Sequence, residues 1–210
     1  MIPIRTSIEL HDIPGVVIAL IITNVAIFLY QIGLPADEAA RFIQTYALTP
    51  SDYGRLTNAS AEGLTSRDFL ALISNMFLHA GWLHLIANMW TLWLFGSVIE
   101  QHLGPGRFVL LYLVSGLVAN FAHIGSDIWS TIPVLGASGA IAGIMGAFTL
   151  QHPKAKVLIL TMIWFFPITY SLSAIYFTGI WFAFQIFGGL IELASTGQGG
   201  GVAWWAHIGG

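Results

Sequence analysis

Cysteine is absent from this sequence, and charge is scarce: only 8% of the residues are Asp, Glu, Lys or Arg. Without cysteine there is no disulfide framework and no thiolate metal site, and the redox compartment stays open. The shortage of charge says more, because soluble domains carry about 25% charged residues. A net charge of −3 with only 7 Lys and Arg offers no basic surface, so no nucleic-acid partner is expected. The opening MIPIRTSIELHDIPG is too mixed for a secretory signal, so the first apolar run is expected to stay as an anchor. Apolar side chains are what the chain has in excess: 56% hydrophobic residues and a mean hydropathy of +0.79. These values predict an all-α, polytopic membrane helical bundle formed as one domain over 1–210, with the lipid bilayer as a partner.

Val16 to Leu34 is nearly uncharged and long enough for one span, with Pro14 suited to its start and Gly33 and Pro35 to its stop. Residues 35–67 read as a polar, partly embedded first loop with short helices. Phe69 to Ile99 reads as the second span and Phe108 to Ile124 as the third, joined through Gly104-Pro105-Gly106. Leu135 to Phe148 is the fourth and Ser173 to Leu193 the fifth. Between them, 154–170 is apolar but interrupted by Pro167, which predicts a segment at the membrane interface. Ser195 to Gly201 reads as a Gly-rich turn. From Gly200 to the end only about 16 Å of helix can form, half a bilayer, so a sixth helix is expected to be incomplete. The short segments carrying Arg5, Arg107, Lys154 and Lys156 favour a cytoplasmic N-terminus.

The fourth span, LGASGAIAGIMGAF, is built largely from Gly and Ala. Gly139 with Gly143, and Ala142 with Gly146, form small-xxx-small pairs that let helix backbones approach closely in lipid. Ser138 sits at its N-terminal end. It is either a hydroxyl bonded within a tight helix crossing or a nucleophile. Other polar groups inside the spans need an account, because ionisable groups at membrane depth usually serve function. His84 and Asn88, at i and i+4, share a helix face and either join helices as structural glue or donate to a ligand. His79 falls about 140° around that helix from His84, which spoils a three-ligand metal site. His207 lies in WWAHIGG among small residues that admit a neighbouring backbone. A serine and a histidine on two close-packed helices can form a nucleophile–base pair. His84 and Asn88 can then stabilise the oxyanion formed when a carbonyl is attacked. No acidic residue is evident to orient His207.

GASGA at 136–140, HLIAN at 84–88 and AHIGG at 206–210 resemble the three signature blocks of the rhomboid intramembrane serine proteases, in the same order and on the second, fourth and sixth helices. Glu100-xxx-Gly104, Arg107-Phe108, Tyr112 and Gly116 resemble that family's helix 2–3 junction and third helix. The likeness runs over roughly residues 14 to 210. It implies a rhomboid-like six-helix fold and a serine endopeptidase that cuts transmembrane protein substrates. Ser138 would be the nucleophile and His207 the base of a dyad without an acid. Asn88, His84 and the Ser138 N–H would hold the oxyanion, and Gly136 would form the active-site loop. No cofactor and no metal are implied. The expected setting is a prokaryotic plasma (inner) membrane, with the active site toward the outer face. Activity should fall as pH drops through the pKa of His207, about 6.5 if unperturbed.

Two departures from the family are visible. The first loop lacks the Trp-Arg pair of many relatives, and the chain stops three residues after His207. An incomplete sixth helix predicts poor activity, recovered on extension by about 15 to 20 residues. Among lesser candidates, His123 could line a water cavity, and Trp204-Trp205 reads as an interfacial anchor. Phe177, Trp181 and Phe184 recur at helical spacing. The rival functions are a catalytically inactive rhomboid-like protein binding membrane clients, a small transporter or channel, and a metal hydrolase. Retention of both Ser138 and His207, and the absence of carboxylates at mid-span, weigh against them.

Overall fold

Long apolar runs with few competing polar groups become helices, because a helix satisfies its own backbone when lipid cannot. The computed structural model describes residues 1–55, 63–194 and 202–210. The helices are α1 (Gly15–Gly33), α2 (Ala36–Tyr46), α3 (Pro50–Gly54), α4 (Ser66–Ser74), α5 (Trp82–Thr91), α6 (Ser97–Leu103), α7 (Pro105–Ser126), α8 (Ser138–Gln151), α9 (Ala174–Ala194) and α10 (Trp204–Gly209). A π-helical turn at Leu92–Gly96 joins α5 to α6 as one continuous rod. Among the described residues, four helices are long and apolar enough to cross a membrane: Gly15–Gly33, Trp82–Leu103, Pro105–Ser126 and Ala174–Ala194. The expected class, a mainly helical membrane bundle, is what forms. The Gly-rich turn expected over 195–201, and Glu62, lie outside the described residues.

The expected second span is divided. Phe69 belongs to α4, which passes through a 3₁₀ turn at Asn75–Phe77 into extended backbone at Leu78 and at Gly81 (φ 173°) before α5 begins. The break carries no charged residue, and its Leu78 and His79 are buried, so no polar loop marks it in the sequence. Gln31 Nε2 donates to the His79 carbonyl across it at 2.8 Å. Asn75 and Asn120 pair side chain to side chain, and Asn120 Nδ2 also donates to the Leu72 carbonyl, which fixes α4 on α7.

A second departure is a small antiparallel sheet of order β1-β2-β3: β1 (Ile2–Thr6), β2 (Lys156–Ile163) and β3 (Phe166–Ser173). The 154–170 stretch, expected as an interfacial segment, is therefore a hairpin, in register from Lys156↔Ser173 to Ile163↔Phe166. Along β2, Val157 and Ile159 are buried while their neighbours are more exposed, the alternation of a strand with one covered face. That period is hard to see in β2, where both faces are largely apolar, but it shows in β3, where Ile168, Tyr170 and Leu172 alternate with Thr169, Ser171 and Ser173. Pro167 is tolerated because β3 is an edge strand.

The core forms around α8, whose Gly139 to Met145 stretch is buried throughout. Phe148 meets Phe95 edge-on at 5.0 Å between ring centroids, and Phe95 stacks on Phe177. Glu100 accepts N–H bonds from Val16 and Val17, both at 2.8 Å, and so caps the unpaired amides at the start of α1.

Candidate active site

The backbone shapes the α8 end first. Val134 bridges to Leu48, and the Gly136 N–H donates to the Asn75 carbonyl at 2.8 Å, which holds the loop that delivers Ser138. Gly136 has φ +128°, a left-handed conformation that side chains rarely adopt. A methyl group there would stand 2.8 Å from the His84 ring, so only glycine lets α5 come this close. Ser138 is the first residue of α8, where the opening N–H groups lack partners within the helix and carry partial positive charge.

The α5 face supplies two donors. The Ala80 N–H donates to His84 Nδ1 at 3.4 Å. A neutral imidazole accepting at Nδ1 carries its proton on Nε2, the atom next to Gly136. Asn88 is buried beside it, and its Nδ2 has no hydrogen-bond partner. A buried donor without an acceptor is costly, so its retention suits a group that appears only during reaction. His79 is not on the far face of this helix, as its spacing suggested. It precedes the helix, and its ring meets that of His84 edge-on at 5.1 Å. Among the described residues, no cluster of three or more His, Asp or Glu could hold a metal ion.

On the opposite wall, α10 presses against α7, α8 and α9. The Gly210 backbone meets that of Gly139, and a methyl on Gly143 would lie 2.8 Å from the Gly210 carbonyl. Gly209 fits against Ala122 in the same way. The small residues in GASGAIAG and AHIGG thus serve a close approach of α8 to α10 and of both to α7, where Gly139 lies against Ala119 and Gly143 against Ser115. The paired tryptophans, expected as an interfacial anchor, pack inward: Trp204 lies over Gly188 and Trp205 over Gly189. The His207 ring lies tilted against Trp181 with centroids 5.7 Å apart, and its Nδ1 lies 2.8 Å from Gln185 Oε1. His207 is therefore held by α9.

Between these walls lies a cavity of about 820 Å³ lined by Ser138, His84, Asn88, His207, His123 and Trp181, among others. Every sequence-predicted site side chain opens on it, and among the described residues no hydrogen bond joins Ser138 directly to His207. Such bonds are commonly long before a substrate is bound. A hydroxyl, an imidazole, two side-chain donors and a helix N-terminus around one cavity form the set that acyl transfer needs. The sequence reading missed Gln185. Its position four residues after Trp181 on an apolar helix was the available signal, since an amide buried in such a helix must find partners.

A family model described as "Rhomboid domain" matches residues 66–210. Rhomboid protein 1, mitochondrial, from Saccharomyces cerevisiae is 30% identical over 219 residues, covering 100% of this chain and 54% of the yeast protein. Rhomboid protease GluP from Bacillus subtilis is 42% identical over 76 residues, 36% of this chain and 14% of that protein. Presenilin-associated rhomboid-like protein A, mitochondrial, from Danio rerio is 34% identical over 93 residues, 42% of this chain and 24% of that protein. The chain thus spans about half the length of the yeast relative and less of the others. Mitochondrial relatives stand beside bacterial ones, so the expected prokaryotic plasma membrane gains no support. Matched family and apolar helices together make this an integral membrane protein.

Proposed function

The chain belongs to the rhomboid family, and from that premise we propose that it is an intramembrane serine endopeptidase acting on transmembrane segments of other proteins. The observation that carries the reading is the shared cavity, onto which Ser138 and His207 open together with a buried Asn88 amide whose Nδ2 has no acceptor among the described residues. In the reaction Ser138 Oγ attacks the scissile carbonyl and His207 takes the hydroxyl proton. The carbonyl oxygen, now negative, accepts from Asn88 Nδ2, His84 Nε2 and the Ser138 N–H. His207 then returns its proton to the departing amine, and water repeats the sequence on the acyl-enzyme. A substrate helix must unwind to present a carbonyl here, so helix-breaking and small residues are expected near the cut. With the N-terminus cytoplasmic, α8 begins on the outer side and the cavity faces that surface.

The test is cleavage of a single-span substrate in liposomes by the chain as given, beside Ser138→Ala and His207→Ala. Turnover by the parent should fall by roughly 10⁴-fold or more in either variant. Tight binding of a membrane client with no cleavage would favour the inactive, client-binding reading. Turnover that survives loss of Ser138 would reject the proposed nucleophile.

A further inference from the structure

We propose that Gln185 is a positioning residue that fixes the tautomer of His207 and so makes it a base. This rests on the serine-protease reading. It concerns how a dyad with no carboxylate keeps its imidazole in the working form.

Two hydrogen bonds and a ring contact carry the argument. Gln185 Nε2 donates to the Trp181 carbonyl one turn back on α9, at 3.1 Å. A carbonyl cannot donate, so the amide nitrogen must face it and Oε1 must face the other way, toward His207. His207 Nδ1 lies 2.8 Å from that oxygen. An amide oxygen can only accept, so Nδ1 carries the proton, and the lone pair of the neutral ring falls on Nε2. The Trp181 ring lies against the imidazole, 5.7 Å between centroids at 38°, and limits its rotation. Gln185 is only 6% exposed, so water does not replace it as the acceptor.

His84 is built the other way round. Its Nδ1 accepts from the Ala80 N–H, which puts the proton on Nε2. His84 and His207, which line one cavity, are thus set as opposite tautomers by their neighbours, one to donate a hydrogen bond and one to accept a proton. A neutral amide does this for His207 without burying a carboxylate in the membrane, where an ion is costly.

The test compares three forms in liposomes with a single-span substrate: the parent chain, Gln185→Met and Gln185→Glu. Methionine keeps the length of the side chain but accepts only weakly. Glutamate restores an oxygen acceptor. Gln185→Met should lower kcat on the order of 10- to 100-fold with KM little changed, the usual loss when the group orienting a histidine is removed. Gln185→Glu should recover most of that loss. Independently of activity, ¹⁵N-histidine NMR of the parent should show the His207 proton on Nδ1, assigned by its disappearance in His207→Ala. In Gln185→Met that signal should change to a mixture of tautomers while the melting temperature stays within a few degrees. Equal kcat in the parent and Gln185→Met, with Ser138→Ala inactive, would overturn the proposal and leave the protease reading intact. So would an Nε2-protonated His207 in the parent. A parent chain no more active than Ser138→Ala would overturn both.

Discussion

Two ends of one rod behave differently. The helix from Trp82 to Leu103 carries Asn88 near its start and Glu100 near its end, both about 6% exposed. Glu100 is fully used: each carboxylate oxygen accepts a backbone N–H from the first turn of α1. Asn88 is left with a buried, unpartnered Nδ2 beside a cavity. Burial alone therefore does not separate structural from functional polar groups in this bundle. Burial without a partner does so only where the group also opens on the cavity: among the described residues, Ser97 Oγ and Gln31 Oε1 are likewise buried without a partner but lie away from it, whereas Asn88 lines it.

That contrast can be broken by experiment. Asn88→Ala should lower kcat by about 10²–10³-fold, the usual cost of one oxyanion donor. Its melting temperature in detergent should hold or rise, because an unsatisfied donor is removed. If Asn88→Ala instead unfolds the chain, the residue is structural glue. Glu100→Ala should do the reverse, destabilising by about 2–3 kcal/mol through loss of two charge-assisted bonds while turnover per folded molecule stays level. Thermal melts paired with turnover would read both quantities.

The smallest effect belongs to the first loop, the other well-satisfied region. Tyr53 donates to the Asp68 carbonyl at 2.7 Å, and Asp68 is held among Arg55, Arg67 and the Thr65 cap. Burial, helped by Asp68 and Asp52, pushes the Tyr53 hydroxyl up from 10.0 to about 12. The folded state thus binds this proton more tightly than the unfolded one. The stability this provides is complete below pH 10.0 and is lost as pH rises toward about 12. Tyr53→Phe should remove that alkaline loss and cost about 1 kcal/mol at neutral pH, measurable by melts across pH.

The polar side chains of the site were legible because each breaks a pattern: Ser138 in a run of Gly and Ala, His84 and Asn88 one turn apart, and His207 among small residues. Spans with clean polar ends, such as Gly15–Gly33 and Ala174–Ala194, were legible for the same reason. What escaped notice breaks no pattern. The break at 78–81 carries no charged residue and keeps Leu78 and His79 buried, and β2 hides its period under two apolar faces; β3, where Ile168, Tyr170 and Leu172 alternate with Thr169, Ser171 and Ser173, is the exception. Gln185 was hidden by its neutrality, since its partner is 22 residues away and no charge marks the pair. His79 was misplaced because its angle was counted on a helix that does not include it.

The central claim is that Ser138 is activated by His207 in the shared cavity. A fluorophosphonate probe with adduct mapping by mass spectrometry tests it without any substrate. The account predicts one adduct, on Ser138, formed at least about 10²-fold more slowly in His207→Ala, as befits loss of a general base. An adduct on another serine, or labelling of Ser138 at the same rate without His207, would contradict it.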